Sequence, residues 1–321
     1  MWSLAALVIG FCIDLLVGDP HGFPHPVVLI GKCISVLERG LRCICPKTPS
    51  GERAAGAILW GAVVIVSTAV PALLLWLSGL VSPWLRLALE SVMCWQILAV
   101  KSLRDESMKV YDALESGDLA ASRHAVSMIV GRDTDRLDDA AVTRAAVETV
   151  AENTSDGVVA PLLFLAIGGA PLGFFYKAVN TMDSMVGYRN ERYRWFGTAA
   201  ARVDDVLNWI PARLSGLLMC LSAALLPGCS GRRALRVFFR DRRKHSSPNS
   251  AHTEASCAGA LGVQLAGDAW YFGKKVSKPT IGDGLRPVER ADVARACRLM
   301  YATTVLALLL GCAVRVLIFS L

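Results

Sequence analysis

Glu148 and Glu152 stand four residues apart in ETVAENTSDG, with Asn153 and Asp156 just beyond. That spacing puts both carboxylates on one helix face, where like charges repel by about 0.2–0.5 kcal/mol. A bound Mg²⁺ or a basic partner relieves the repulsion, and a solvated helix face is the plainer alternative. A second set lies in YKAVNTMDSMVGYRNERYRWFG, where Tyr176, Asn180, Asp183 and Gly187 follow at steps of four, three and four. They form a polar stripe on an otherwise apolar helix, flanked by Lys177 and Ser184. Small polar residues glue helices together in a membrane, but a carboxylate such as Asp183 points to function.

Arg189, Arg192 and Arg194 follow beside Tyr188, Tyr193 and Trp195. Guanidinium forks suit phosphate or carboxylate, and the same mixture also makes a membrane-interface belt. In ARVDDVLNWIPARL, Arg202 and Asp205 are spaced to pair, Asp205 and Asn208 to share a face. Asp204 and Asp205 are candidate metal ligands, with a structural Arg–Asp pair as the alternative. HSSPNSAHTEAS brings His245, Ser247 and Asn249 into one loop and Glu254 near a helix start, a pattern able to cradle a phosphate. His21 and His25, near Asp19, read as loop hydrogen-bonding groups, since a zinc site needs a third ligand. Neither a Walker-type loop nor GxGxxG is present, so any nucleotide site is of another type.

The elements that must position these groups are helical and apolar. Of 321 residues, 54% are hydrophobic and 19% charged, and the mean hydropathy is +0.44. This composition predicts an all-α, polytopic integral membrane protein of about four to six spans, with cytoplasmic amphipathic helices and loops. Spans are expected over 2–18, 54–81 with a kink at Pro71, 84–100, 157–175, 209–227 and 301–319. The first reads as a retained helix, because it lacks a basic leader and a small-residue cleavage site. Gly168, Gly169 and Pro171 predict either one kinked span or two half-helices of a re-entrant hairpin. Residues 101–156 read as solvent-facing helices, with Asp118 and Asp138 or Asp139 as N-caps. The Gly-rich stretch after Leu261 reads as a mobile lid. The ten cysteines hold no CxxC pair and are read as thiols without a metal role. The net charge of +7 gathers between apolar segments, as the positive-inside rule requires, and no nucleic-acid motif accompanies it.

These motifs, in this order, closely resemble the CobD/CbiB family of adenosylcobinamide-phosphate synthases. The likeness runs over DxxxGDP and HPVxxIG at Asp14–Gly31, ETVAENTSDGVVAPLLF, YKAVNTMDSMVGYRNERY, FGTAAARVDDVLNWIPARL, HSSPNSAHTEAS and AGALGVQL. Departures are small: Ala251 stands where Gly is usual, and AGDAWYFG replaces a more Gly- and Pro-rich run. The resemblance covers the chain as one domain, 1–321. It implies a ligase in the cytoplasmic membrane, with its site facing the cytoplasm, that uses ATP and Mg²⁺. The expected reaction joins adenosylcobyric acid to (R)-1-amino-2-propanol O-phosphate or a related amino alcohol. The lipid bilayer and other cobalamin-pathway proteins are the further expected partners. On that footing Glu152, Asp156, Asp183, Asp204 and Asp205 would hold the metal. Lys177, Arg189 and Arg213 would bind phosphates. Asn153, Asn180 and Asn208, with Tyr188, would orient substrate. His245, Ser247, Asn249 and Glu254 would bind the amino-alcohol phosphate or serve as base. A membrane transporter and a non-catalytic, AmpE-like sensor or delivery protein are the competing readings.

Overall fold

The computed structural model describes residues 2–20, 22, 24–188, 190–271 and 273–320, the side chains of 318–320 excepted. His21 and Arg189 thus lie outside the described residues. In chain order the helices are α1 (Trp2–Val17), α2 (Pro26–Ile44), α3 (Pro49–Val81), α4 (Pro83–Ile97), α5 (Val100–Glu115), α6 (Leu119–Ser127) and α7 (Asp139–Asn153). A π-helical turn, Thr154–Val159, leads into α8 (Ala160–Val186), α9 (Thr198–Leu207), α10 (Trp209–Leu225), α11 (Gly231–Asp241), α12 (Ala251–Leu261) and α13 (Ala291–Ser320). Between the last two lie short strands β1 (Leu265–Ala266), β2 (Ala269–Tyr271), β3 (Lys274–Val276) and β4 (Thr280–Ile281). They make two antiparallel pairs, with Leu265 opposite Ile281 and Trp270 opposite Lys275.

The helix starts follow from local chemistry. Asp118 Oδ1 accepts from the Ala121 N–H at 2.9 Å, and Asp138 Oδ1 from the Ala141 N–H at 2.8 Å. Both are the expected N-caps. Thr48 and Ser82 cap α3 and α4, each followed by proline at the first helical position.

Among the described residues, three helical runs are long and apolar enough to cross a bilayer. They are Pro49–Val81, Asp139–Val186 and Ala291–Leu317, with mean hydropathies of 2.3, 2.1 and 1.9. The pair Thr198–Leu207 and Trp209–Leu225 makes a fourth if it is a single span. The protein is therefore all-α and polytopic, with three such runs, or four, against the four to six expected. Helices α1 and α4, of 16 and 15 residues, rise only about 22–24 Å. That is short of a hydrocarbon core of about 30 Å. Along α3, Ile58, Ile65, Trp76 and Leu80 are exposed, the face such a helix offers to lipid.

The chain forms two compact units. Unit 1 comprises Met1–Ala99, Pro161–Asn208 and Gly311–Leu321, and unit 2 comprises Val100–Ala160 and Trp209–Leu310. In unit 1, α1 lies close against α4. A Cβ on Gly10 would fall 2.6 Å from Cys94 Cβ, and the Trp95 indole donates to Gly18 O at 2.9 Å. The apolar run of α8 is no straight span. Phe164 stacks on Tyr176 with ring centroids 4.8 Å apart, whereas twelve residues of continuous helix rise about 18 Å. The chain doubles back at Gly169, whose φ of 66° and ψ of −163° only glycine adopts readily. This is the half-helix hairpin of the two expected alternatives. Its turn frees carbonyls inside an apolar environment, and buried Arg315 donates to Ala166 O at 2.8 Å and Leu165 O at 3.3 Å. A broken helix at membrane depth needs such internal partners.

Unit 2 is built around α12, in which all eleven residues are buried. Its small residues admit close neighbours: a Cβ on Gly259 would meet Ala234 Cα at 2.7 Å. Arg233 of α11 donates to Gly259 O and Ala260 O at 2.6 and 3.1 Å, a cation at a helix C-terminus. The expectation of solvent-facing helices over 101–156 fails at α7, where Ala145–Ala151 is buried without a break. Alanine and valine surround that helix on every side, and its one buried carboxylate, Glu148, is bonded internally. The stretch expected as a lid holds the two strand pairs. Asp133 ties one of them down, its N–H donating to Trp270 O at 2.9 Å and its carboxylate accepting from Gly273 N at 2.7 Å.

Candidate functional site

The residues singled out from sequence fall into two sets, one in each unit. In unit 1 the stripe on α8 meets α9. Tyr176, wholly buried, donates its hydroxyl to Asn208 Oδ1 at 2.8 Å. Asn208 donates its amide to Asp204 Oδ2 at 2.9 Å, and Asn180 donates to Asp204 Oδ1 at 3.5 Å. Asp204 is thus clamped by two side-chain amides, the outer one oriented by a buried phenol. Asn208 thus reaches back one helical turn to Asp204. Asp183 and Asp205 lie within electrostatic reach of Asp204, so three aspartates share this region. Gly187 is where Asp183 folds back: a Cβ at 187 would fall onto Asp183 Oδ1.

Lys177 faces the other way along unit 1, toward Asp14 and Asp19 of the DxxxGDP run. Tyr188 is 45% exposed. Arg192 serves the fold: with Arg42 it brackets buried Glu38 at 3.0 and 2.9 Å. Arg42 also lies 4.4 Å above the Phe196 ring, and Trp195 is sandwiched by Arg53 and Arg194 at 4.3 and 4.9 Å. Two of the expected anion-binding arginines therefore hold the 190–197 loop in place.

In unit 2 the HSSPNS loop is a run of side-chain-to-backbone turns. The Ser247 N–H donates to His245 Nδ1 at 3.0 Å, and the Asn249 N–H donates to Ser247 Oγ at 3.2 Å. His252 Nδ1 lies 3.0 Å from Asn249 O. Arg213, stacked 4.1 Å above the Trp209 ring, donates to Asn249 Oδ1 at 3.4 Å. Arg213, Arg242 and Arg243 all act on His252, and burial with these cations holds its imidazole down at about 4. His245 is lowered too, by burial, so both rings are neutral at pH 7. Arg240 and Lys244 belong to a structural cluster on Asp241 and Asp283.

Glu148, Glu152 and Glu254 converge from α7 and α12. Glu148 accepts from Arg132 and, at 2.6 Å, from the Ala266 N–H, so a basic partner answers the like-charge spacing. Glu254 is 5% exposed, and its Oε2 has no hydrogen-bond partner among the described residues. Burial first, then Glu152 and Glu148, hold its carboxyl well above the usual carboxylate range. Lys278 and Arg132 act on the same carboxyl, and half-buried Glu152 lies near half-buried His245. Asn153 donates to Thr149 O of its own helix at 3.0 Å, and Asp156 lies half-buried in the π-helical turn. Such turns insert a residue into the helical register and recur at functional sites.

Sequence reasoning missed Arg132 and Lys278. Lys278 sits in KKVSKP with Lys274 and Lys275, and nothing in the string separates it from those exposed neighbours. Among the described residues no three His, Cys, Asp or Glu side chains stand together as a ready-made metal site.

The family model described as CobD/Cbib protein matches residues 7–300 of this chain. The chain is 52% identical over 311 residues to the cobalamin biosynthesis protein CobD of Geobacter metallireducens, covering 96% of this chain and 95% of that one. It is 48% identical over 313 residues to the CobD of Klebsiella pneumoniae and 47% identical over 313 to the CbiB of Salmonella typhimurium, with 98% of each chain covered in both cases. No solved structure matches it. The DxxxGDP, ENTSDG, VNTMDS, RVDDVLNW and HSSPNS segments that build the two clusters all lie within the matched span, and the chain belongs to the CobD/CbiB protein family.

Proposed function

We propose that this protein acts in cobalamin biosynthesis as an ATP- and Mg²⁺-dependent amide synthetase of the cytoplasmic membrane. It joins a carboxylate of adenosylcobyric acid to (R)-1-amino-2-propanol O-phosphate or a related amino alcohol, giving adenosylcobinamide phosphate. The names and near-full-length identity of its relatives support the pathway. The observation that carries the chemistry is Asp204, a carboxylate locked by Asn180 and Asn208 beside Asp183.

A carboxylate does not acylate an amine unaided. Activation forms a bond from the corrinoid carboxylate oxygen to phosphorus of ATP and breaks a phosphoanhydride, releasing ADP, or diphosphate if an adenylate forms. The amine nitrogen then attacks the acyl carbon, and the phosphoryl group leaves. Mg²⁺ suits the residues present, because it keeps its waters and takes one or two carboxylates plus phosphate oxygens, with no need for a closed protein cage. Asp183 and Asp204 would hold it, where it would neutralise charge developing on the phosphates. Fixed amides keep Asp204 oriented without reorganisation during the step. The Arg- and Lys-rich segments would face the cytoplasm.

The test is turnover by purified protein in detergent with adenosylcobyric acid, the amino-alcohol phosphate, ATP and Mg²⁺, followed by mass spectrometry. A corrinoid that gains the amino-alcohol phosphate supports the reading, and ADP or AMP identifies the activated species. The doubled-back α8 favours a second reading, since broken helices line transport pathways. Folded protein that binds corrinoid yet makes no product would move the account there.

A further inference from the structure

We propose that Glu152 and Glu254 of unit 2 bind the ammonium of the amine substrate, that Glu254 takes its proton, and that Lys278 binds the phosphate of the same molecule. This rests on the synthetase reading and deepens it. Residues expected to hold metal or to serve as base thereby acquire distinct jobs, and Lys278 sets specificity.

The first observation is the bare oxygen. Glu254 is nine-tenths buried with Oε2 unpartnered, and a buried carboxyl in that state costs free energy unless a ligand completes it. The second is the neighbourhood. Glu148 is spent on Arg132 and the Ala266 N–H, which leaves Glu152 and Glu254 as acceptors. The third is the shape of the ligand's charge. A primary ammonium spreads three hydrogen bonds over its acceptors. The fourth is Lys278, half-buried and anchored on Tyr271, whose hydroxyl accepts from Nζ at 2.7 Å. Its charge acts on both Glu254 and His245, so a cation stands near the acid pair. A small zwitterion with an ammonium on one carbon and a phosphate on the next carries that pairing of charges.

The raised affinity of Glu254 for a proton is the direction that a group accepting one from an ammonium needs. Burial sets it first, then Glu152 and Glu148 on α7, with Lys278 after β3 and Arg132 before α7 acting the other way. From α10 and the end of α11, Arg213, Arg242 and Arg243 face His252 instead, and Arg233 reaches the far end of α12. In the reaction the ammonium gives one proton to Glu254. The freed lone pair forms the C–N bond as the C–O bond to phosphate breaks. The second proton leaves with the phosphate, and Glu254 returns its own to water.

The experiment compares Glu254→Gln, Glu152→Gln and Lys278→Met in full-length protein. Amide formation is measured against pH with phosphorylated and unphosphorylated aminopropanol, and binding of each amine is measured by calorimetry without ATP. Glu254→Gln is expected to lower kcat about 10²-fold or more and to erase the acidic limb of the pH profile. Glu152→Gln raises KM for both amines. Lys278→Met raises KM about 10- to 100-fold for the phosphorylated amine alone. Thermal unfolding checks each variant, and Glu254→Asp serves if Glu254→Gln does not fold. A wild-type pH profile in both Glu254 variants, or equal loss for both amines in Lys278→Met, overturns the proposal while wild-type turnover leaves the synthetase reading standing. Wild-type protein that binds the phosphorylated amine through these residues yet makes no amide keeps the site and ends the synthetase reading.

Discussion

Asp204 and Glu254 are both carboxylates held inside helical units, and they are solved in opposite ways. Asp204 has an amide on each oxygen, one of them fixed in turn by the Tyr176 hydroxyl. Both are buried with two further acids nearby, and the difference is that Glu254 keeps a bare oxygen. Hydrogen bonds from amides favour the charged form and fix its direction, while desolvation and like charge favour the protonated form. The first arrangement suits a group held in one direction to orient cations and phosphates. The second suits a group that exchanges a proton or waits for a cation.

The contrast breaks most visibly in activity. Asp204→Asn keeps the volume, removes the charge and forces an amide to face two amides. Amide synthesis is expected to fall about 10²- to 10³-fold, with the loss concentrated in kcat at saturating ATP. Next in size is stability in unit 2. Arg132→Met strands Glu148 with only the Ala266 N–H, and leaving one partner of a buried pair costs roughly 3–5 kcal/mol. Denaturant unfolding in detergent reads that loss, and Glu148→Gln made together with Arg132→Met is expected to recover most of it.

Gly187→Ala sharpens the comparison from the unit 1 side. A Cβ there displaces Asp183, so ATP-dependent activity falls while unfolding shifts less than with Arg132→Met. The smallest effect is a pH window. The His252 imidazole is pushed from 6.5 down to about 4 in the native protein. The unfolded chain therefore binds a proton below about 6.5 that the native state refuses until about 4, and stability falls as pH drops through that interval. His252→Gln is expected to flatten that part of a Tm-against-pH plot.

Much of this was legible in the sequence where periodicity and chemistry agree. The polar stripe from Tyr176 to Gly187 announced a helix face that meets other polar groups, and Asp118 and Asp138 announced helix starts. The glycines at 168 and 169 announced a break but left its form open, because a kink and a reversal use the same residues. The Phe164–Tyr176 stack and the backbone at Gly169 separate them. Burial of α7 was hidden, since an Ala-rich helix with scattered charges reads as solvated whether or not neighbours cover it. Lys278 and Arg132 were hidden for another reason: their partners lie on elements distant in sequence, and no local spacing encodes such a meeting. Arg192 misled in the opposite sense, as a fork suited to phosphate that the fold spends on Glu38.

The most direct test separates activation from amine attack. Purified wild type, Asp204→Asn and Glu254→Gln are supplied with adenosylcobyric acid, ATP and Mg²⁺, and the amino-alcohol phosphate is replaced by hydroxylamine. Hydroxylamine is largely neutral at pH 7 and needs no base. An activated acyl group is trapped as a hydroxamate, read by mass spectrometry. The account predicts hydroxamate from wild type and Glu254→Gln and little from Asp204→Asn, although Glu254→Gln makes little amide with the natural amine. Equal loss of hydroxamate in both variants, or none in either, would contradict the assignment of the two carboxylates to different steps.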